Sequence, residues 1–205
     1  MKTREAFVDL AKGIAVILMI QVHLMEVFAR PTVLNSLLGK VSLFLGGPLV
    51  APAFLLVFGY MLGAKAHASA VLFGRGVKLL VIGLFLNVSL NLNLLIRANS
   101  GVIKIDQLKF IFGVDILLAA GLSLLVIVLV RFLLKRMGAL YLALAFAIAL
   151  ATPFVTSLCT VNSAWKYALA LFGGNYSWSF FPLFPWLAYP LVGYGVAVSK
   201  HGLTW

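Results

Sequence analysis

The chain has 205 residues, of which 63% are hydrophobic and only 10% charged, and its mean hydropathy is +1.12. Soluble domains hold roughly 45–50% apolar and about 25% charged residues, so too little polar surface remains here to cover a water-soluble body. The formal charge of +11 does not point to nucleic acid, because the basic residues fall mostly in short gaps between apolar runs, where they set orientation and meet lipid headgroups.

A helix that crosses a bilayer needs about 20 mostly apolar residues. Segments 7–29, 41–64, 76–96, 110–134, 138–158 and 180–199 qualify. The expected fold class is all-α: a polytopic transmembrane helical bundle of about six spans, with one short re-entrant or interfacial helix over 165–172. Gly173, Gly174 and Asn175 end that piece. Residues 1–205 are expected to form a single transmembrane domain. The N-terminal run resembles a signal peptide in outline, but Asp9 and Lys12 interrupt it and no small-residue cleavage site follows, so it is expected to stay as the first span. Cys159 is the single cysteine and can form no intramolecular disulfide.

The first span carries four ionisable groups: Asp9, Lys12, His23 and Glu26. At about 100° per residue, with Lys12 at zero, His23 falls near +20°, Asp9 near +60° and Glu26 near −40°. One stripe holds all four, and it suggests a wet path from one side of the membrane to the other. Charged groups in a bilayer are costly and usually functional. A histidine on such a path can act as a general base, and Glu26, one turn on, can orient it by accepting a ring N–H. Two plainer roles stand beside these. Asp9 and Lys12 are three apart and can pair at the headgroup level, and a membrane histidine often only bonds a neighbouring helix.

The second span contains Gly46, Gly47, Pro48, Pro52, Gly59 and Gly63, a composition that breaks or kinks helices. In the third span Asn87 and Asn91 are four apart and share a face. Their amides suit either sugar hydroxyls or helix stitching. Asp115, early in the fourth span, is a candidate for pairing with a base or binding substrate. The last span carries Pro182, Pro185 and Pro190 beside Trp186.

With the N-terminus inside, the inner segments hold Lys2, Arg4, Lys65, Arg75, Lys78, Arg131, Lys135, Arg136 and Lys200. The outer segments hold the smaller set Arg30, Lys40, Arg97, Lys104, Lys109 and Lys166. This favours a cytoplasmic N-terminus. The inner clusters also suit the phosphates of a nucleotide-like donor. No Walker-type phosphate loop, G-x-S-x-G elbow, H-E-x-x-H or Cys/His metal spacing is present in the sequence.

The stretch 7–23, with Lys12, ten residues and then His23, resembles the first helix of the transmembrane acyltransferase superfamily. That group includes the type-3 acyltransferases and the heparan-α-glucosaminide N-acetyltransferase-like proteins. Type-3 members place an Arg where Lys12 stands. Stretch 51–60, ending in Gly59-Tyr60, is similar to the second family helix, and stretch 75–83, from Arg75 through Lys78 to Gly83, to the third. Val114-Asp115-Ile116-Leu117 with Gly121-Leu122 resembles the next motif. Phe181-Pro182-Leu183-Phe184-Pro185-Trp186 with Gly193 resembles one of the heparan-type branch.

The resemblance implies an O- or N-acyltransferase that carries an acyl group, in the first place acetyl, from cytosolic acyl-CoA to a hydroxyl or amine of a sugar or glycan acceptor. It implies His23 as the catalytic histidine, which deprotonates the acceptor or carries the acyl group itself, and the stripe read above adds Glu26 and Asp9 in support. Lys12, Arg75 and Lys78 are then donor contacts, and Asn87, Asn91 and Asp115 acceptor contacts. No metal and no nucleic acid are implied. The expected setting is an integral membrane protein of the bacterial inner membrane, in contact with the bilayer. Superfamily members are usually longer, so the chain is expected to be the N-terminal part of a longer acyltransferase-type domain, whose complete site needs further helices or a second copy in a homo-oligomer. The heparan-type branch uses a histidine in the loop after the first span. Segment 30–40 has none, which favours His23. The competing class is a secondary transporter or permease, with the polar stripe as its route.

Overall fold

The computed structural model describes residues 6–65, 67–134 and 137–201. Lys2, Arg4, Lys135 and Arg136, counted above among the inner cations, lie outside the described residues. The described residues form helices and no β-strand, with a single isolated bridge between Val114 and Ser179. Five of the helical runs are long and apolar enough to cross a membrane.

Helix α1 is Ala6–Phe28, followed by a one-turn α2, Pro31–Leu34. Ser36 caps α3, Leu37–Phe44, by accepting the Gly39 N–H at 3.1 Å. A π-helical stretch, Leu45–Leu49, then leads into α4, Val50–Gly63. Pro48 sits inside that stretch. Its missing N–H and its ring both disturb the ordinary ladder, and a wider turn accommodates them.

Helix α5, Ser69–Leu90, ends at Asn91, whose Nδ2 donates back to the Asn87 carbonyl at 2.9 Å. That local bond competes with the helix ladder, and α6, Leu92–Asn99, starts anew. The short α7, Gln107–Ile111, precedes α8, Ile116–Leu134. Then come α9, Gly138–Cys159, the one-turn helices α10, Lys166–Leu169, and α11, Leu183–Trp186, and finally α12, Ala188–His201.

The main core joins Leu62 of α4, Leu72 of α5, Leu124 and Ile127 of α8, Tyr141 and Ile148 of α9, and Leu191 and Tyr194 of α12. The closest approach is between α4 and α12. A Cβ on Gly59 would meet the backbone of Pro190, one on Gly63 would lie 2.7 Å from the Tyr194 carbonyl oxygen, and one on Gly193 would meet the Leu56 carbonyl. Small residues allow this backbone-to-backbone contact, on which packing between membrane helices depends. Helix α1 stands beside this core rather than in it. Its buried Ala15 and Val22 face the α3–α4 run, where Gly46 receives Val22.

The expected spans need three corrections. The third begins at Ser69, a full two turns before Gly76, and stops at Leu90, because Asn91 breaks the stretch that hydropathy alone carries on to Ile96. The fourth begins at Ile116 rather than Phe110, because the 112–115 backbone leaves the helix to pair with the 178–181 segment through Val114 N–H to Trp178 O at 2.9 Å and Phe180 N–H to Val114 O at 3.1 Å. The sixth divides into α11 and α12. At 14 residues, α12 spans roughly 21 Å, short of a hydrocarbon core of about 30 Å.

Candidate functional site

Helix α1 carries functional candidates near both of its ends. Near its start, Lys12 lines a cleft of about 360 Å³ between α1, α4 and α5. Lys65 and His67, from the α4–α5 connection, and Arg75, in the second turn of α5, line the same cleft. Successive turns of α4 supply its apolar wall: Phe54, Val57, Phe58, Met61 and Leu62. From Phe54 to Leu62 that wall rises roughly 12 Å along the helix axis. Three full positive charges and one imidazole thus meet at the head of an apolar groove, a combination suited to a molecule with phosphates at one end and an extended, weakly polar remainder.

Asp9 approaches Lys12, with Oδ1 4.0 Å from Nζ. The two residues lie three apart on one helix face, so the pairing expected from their spacing is present. It steadies Lys12 beside the cleft. Lys78 is exposed on α5 and is not among the residues that line the cleft. The structure therefore places Lys12 and Arg75 on one cleft together with Lys65 and His67. Lys65 was visible only as one inner cation among several. His67 had no signal in the sequence, because nothing in its local pattern tells a connection residue from a cleft residue.

His23 lies eleven residues beyond Lys12, and its Nδ1 is 3.3 Å from Glu26 Oε2. The pair expected from the i, i+3 spacing is formed. Its side chains are 70% and 56% exposed, so no described helix covers them. For His23 the reason is angular. The buried residues Ala15 and Val22 fall roughly at −60° and −80° on the scale used above, which places His23 about 100° from the packed seam. The stripe therefore does not line an enclosed path between described helices. It runs along the open edge of α1, with Lys12 nearer the seam.

Asn87, Asn91 and Asp115 sit at the opposite end of the bundle from Lys12. Asn87 is buried, and its Nδ2 donates to the carbonyls of Ile111 at 3.2 Å and Gly113 at 2.7 Å. Asn91 closes the end of α5, as described above. The Oδ1 of Asp115 accepts the Leu118 N–H at 2.8 Å, an N-cap bond for α8. All three act first on the backbone: Asn87 ties α5 to the segment before α8, Asn91 closes the end of α5, and Asp115 caps α8.

A further polar cluster closes this end, and its long-range half was invisible in the sequence. The Tyr167 hydroxyl reaches both carboxylate oxygens of Asp106, at 2.7 and 2.6 Å, while Lys166 Nζ lies 3.3 Å and Lys109 Nζ 3.9 Å from Oδ2. Lys109 also stands over the Trp178 ring, 4.9 Å from its centroid. The Tyr167 hydroxyl, followed by the Lys166 ammonium, holds the Asp106 carboxyl below the ordinary carboxylate range. The Asp106–Lys109 spacing is legible locally. Lys166 and Tyr167 join it from about 60 residues away, which no local pattern records.

These features define a multi-span helical protein with a cationic cleft and a histidine–carboxylate pair on one helix. The family model described as "Heparan-alpha-glucosaminide N-acetyltransferase, catalytic" matches residues 4–202, and the chain belongs to that family of membrane acyltransferases. Comparison with curated proteins and with solved structures gave no match.

Proposed function

We propose that this protein transfers an acyl group, in the first place acetyl, from acyl-CoA to a hydroxyl or amine of a sugar-type acceptor. Family membership supports acetyl transfer to a sugar. The observation that carries the mechanism is that α1 bears both a cleft cation, Lys12, and a carboxylate-paired histidine, His23.

Lys12, Lys65 and Arg75 receive the donor's phosphates, and Asp9 steadies Lys12. Lys78, one turn along α5 from Arg75, meets the donor only outside the cleft. The rise from Lys12 to His23 is roughly 16 Å, a length suited to the extended pantetheine arm, so the thioester arrives at the level of His23. With Nδ1–H bonded to Glu26, Nε2 carries the free lone pair. It takes the proton of the acceptor hydroxyl or amine as that group attacks the thioester carbonyl. The tetrahedral intermediate then collapses, the C–S bond breaks, and the proton passes to the departing CoA thiolate. Asn87, Asn91 and Asp115 shape the acceptor side by fixing the start of α8. The N-terminus lies in the cytoplasm, in keeping with the distribution of Lys and Arg, and a bacterial inner membrane is the proposed setting.

The exposure of His23 supports a further element of the proposal: the acceptor, a second copy or further helices complete the open edge of α1. No observation favours transport. The deciding experiment follows release of free CoA from acetyl-CoA by the purified protein, over a panel of amino sugars and glycans, for wild type and His23→Ala. Acceptor-dependent release that disappears in His23→Ala, with the melting temperature kept, is expected. Equal release by both proteins removes His23 from the mechanism, and no release together with no donor binding removes the acyltransferase assignment.

A further inference from the structure

Arg131 was expected among the cations that contact phosphate. In the structure it is half-buried in the last turn of α8, and its Nη2 donates to the backbone carbonyl of His67 at 3.1 Å. The donor and acceptor are 64 residues apart in sequence. His67 belongs to the α4–α5 connection, whose two ends are tied by helix bonds, Ala64 N–H to Tyr60 O at 2.8 Å and Val71 N–H to Ala68 O at 3.0 Å. Between those anchors the connection contributes both Lys65 and His67 to the cleft. Helix α8 is the most deeply packed of the long helices, with Leu124 and Ile127 in the main core, so a bond from Arg131 refers the connection to the most rigid wall available.

We infer that Arg131 is a positioning residue for the donor cleft: it acts through the His67 carbonyl, holds His67 against α8, and so fixes His67 and the nearby Lys65 where the donor's phosphates bind. The inference rests on the acyl-CoA assignment above and gives the cleft a part that assignment does not contain. A guanidinium suits the task because its planar fork stays charged and directs its N–H bonds rigidly, whereas a lysine ammonium is a flexible point donor. The chemical step lies at the other end of α1, so loss of the bond should weaken donor binding and leave turnover at saturation intact.

The test compares wild type, Arg131→Met, Arg131→Lys, Lys65→Gln and the double variant Lys65→Gln/Arg131→Met. Steady-state CoA release is measured at fixed ionic strength, and each protein's melting temperature is recorded. A charge-assisted hydrogen bond corresponds to about tenfold in an equilibrium constant. Arg131→Met is therefore expected to raise the donor KM about tenfold with kcat unchanged, and Arg131→Lys to fall between it and wild type. If Arg131 works through the connection, its removal costs less when Lys65 is already neutral, so the two effects on KM do not multiply. A KM that stays put in Arg131→Met, a fall confined to kcat, or fully multiplicative effects would each overturn the inference. If Arg131→Met melts early, Arg131→Lys against the Lys65→Gln background gives the same comparison. CoA release by the wild type tests the acyltransferase assignment separately: its absence sinks that assignment, while its presence with an unmoved KM overturns only the role of Arg131.

Discussion

At the scale of single residues, the His23–Glu26 pair and the Asp106 cluster make opposite use of a carboxylate. Glu26 faces one partner from an exposed position, so the pair adds little stability, and on the proposed function its value is in orienting the imidazole. His23→Ala should therefore lower turnover by about 10²- to 10⁴-fold, the range for loss of a general base, without changing the melting temperature. Glu26→Gln should cost less, because an amide oxygen can still accept the ring N–H, though more weakly than a carboxylate. Asp106 ties α10 to the entry of α7 through Tyr167, Lys166 and Lys109. Its folded-state pKa is depressed, so the stability it contributes is present above the unfolded value of 3.8 and disappears as the pH falls through the lower folded value. Melting of wild type and Asp106→Asn should differ near neutral pH and converge as the pH drops below that window. A difference that persists unchanged in acid would show that the carboxylate charge is not what holds the cluster.

At the scale of helices, glycine position separates packing from propensity. Gly59 lies where any Cβ would meet the Pro190 backbone, whereas Gly74, inside α5, has nothing within 4 Å of a built Cβ. Backbone cannot move aside as a flexible side chain does. Gly59→Ala should cost about 1–3 kcal/mol, the range for overpacking, and Gly74→Ala should be neutral or stabilising by up to about 1 kcal/mol through helix propensity. Melting of both variants in the same detergent checks the contrast. The same distinction explains what hydropathy could and could not reveal. It located α1 and α9 almost to the residue, because each is one long, predominantly apolar run. It misplaced the start of α8 and the end of α5, because Val114 and Asn87 bond to other segments there, and Asn91 turns its side chain back on the Asn87 carbonyl. In the site, the Asp9–Lys12 and His23–Glu26 pairs were legible because they repeat at helical spacing. His67 and the role of Arg131 were not, since each depends on two chain segments meeting.

At the scale of the whole molecule, the charges divide by end. Lys12, Lys65 and Arg75 converge on the cleft, while at the opposite end Lys109 and Lys166 share the one carboxylate of Asp106. On the proposed function, that convergence is what would draw a phosphate-bearing donor to the cleft end of the bundle. At about 4 Å a single charge pair is worth roughly 1 kcal/mol in water and about 4 kcal/mol near a protein surface. Lys12→Gln and Arg75→Gln should then each raise the donor KM at least about fivefold, whereas Lys78→Gln, outside the cleft, should have a smaller effect. The field is also screened, since the Debye length falls from about 30 Å at 0.01 M salt to about 3 Å at 1 M. The wild-type KM for donor should rise steeply over that range, and the Lys12→Gln/Arg75→Gln variant should start high and change little. A donor KM insensitive to salt, or a Lys78→Gln effect as large as that of Arg75→Gln, would mean that the donor's phosphates bind elsewhere and that the cleft between α1, α4 and α5 serves another ligand.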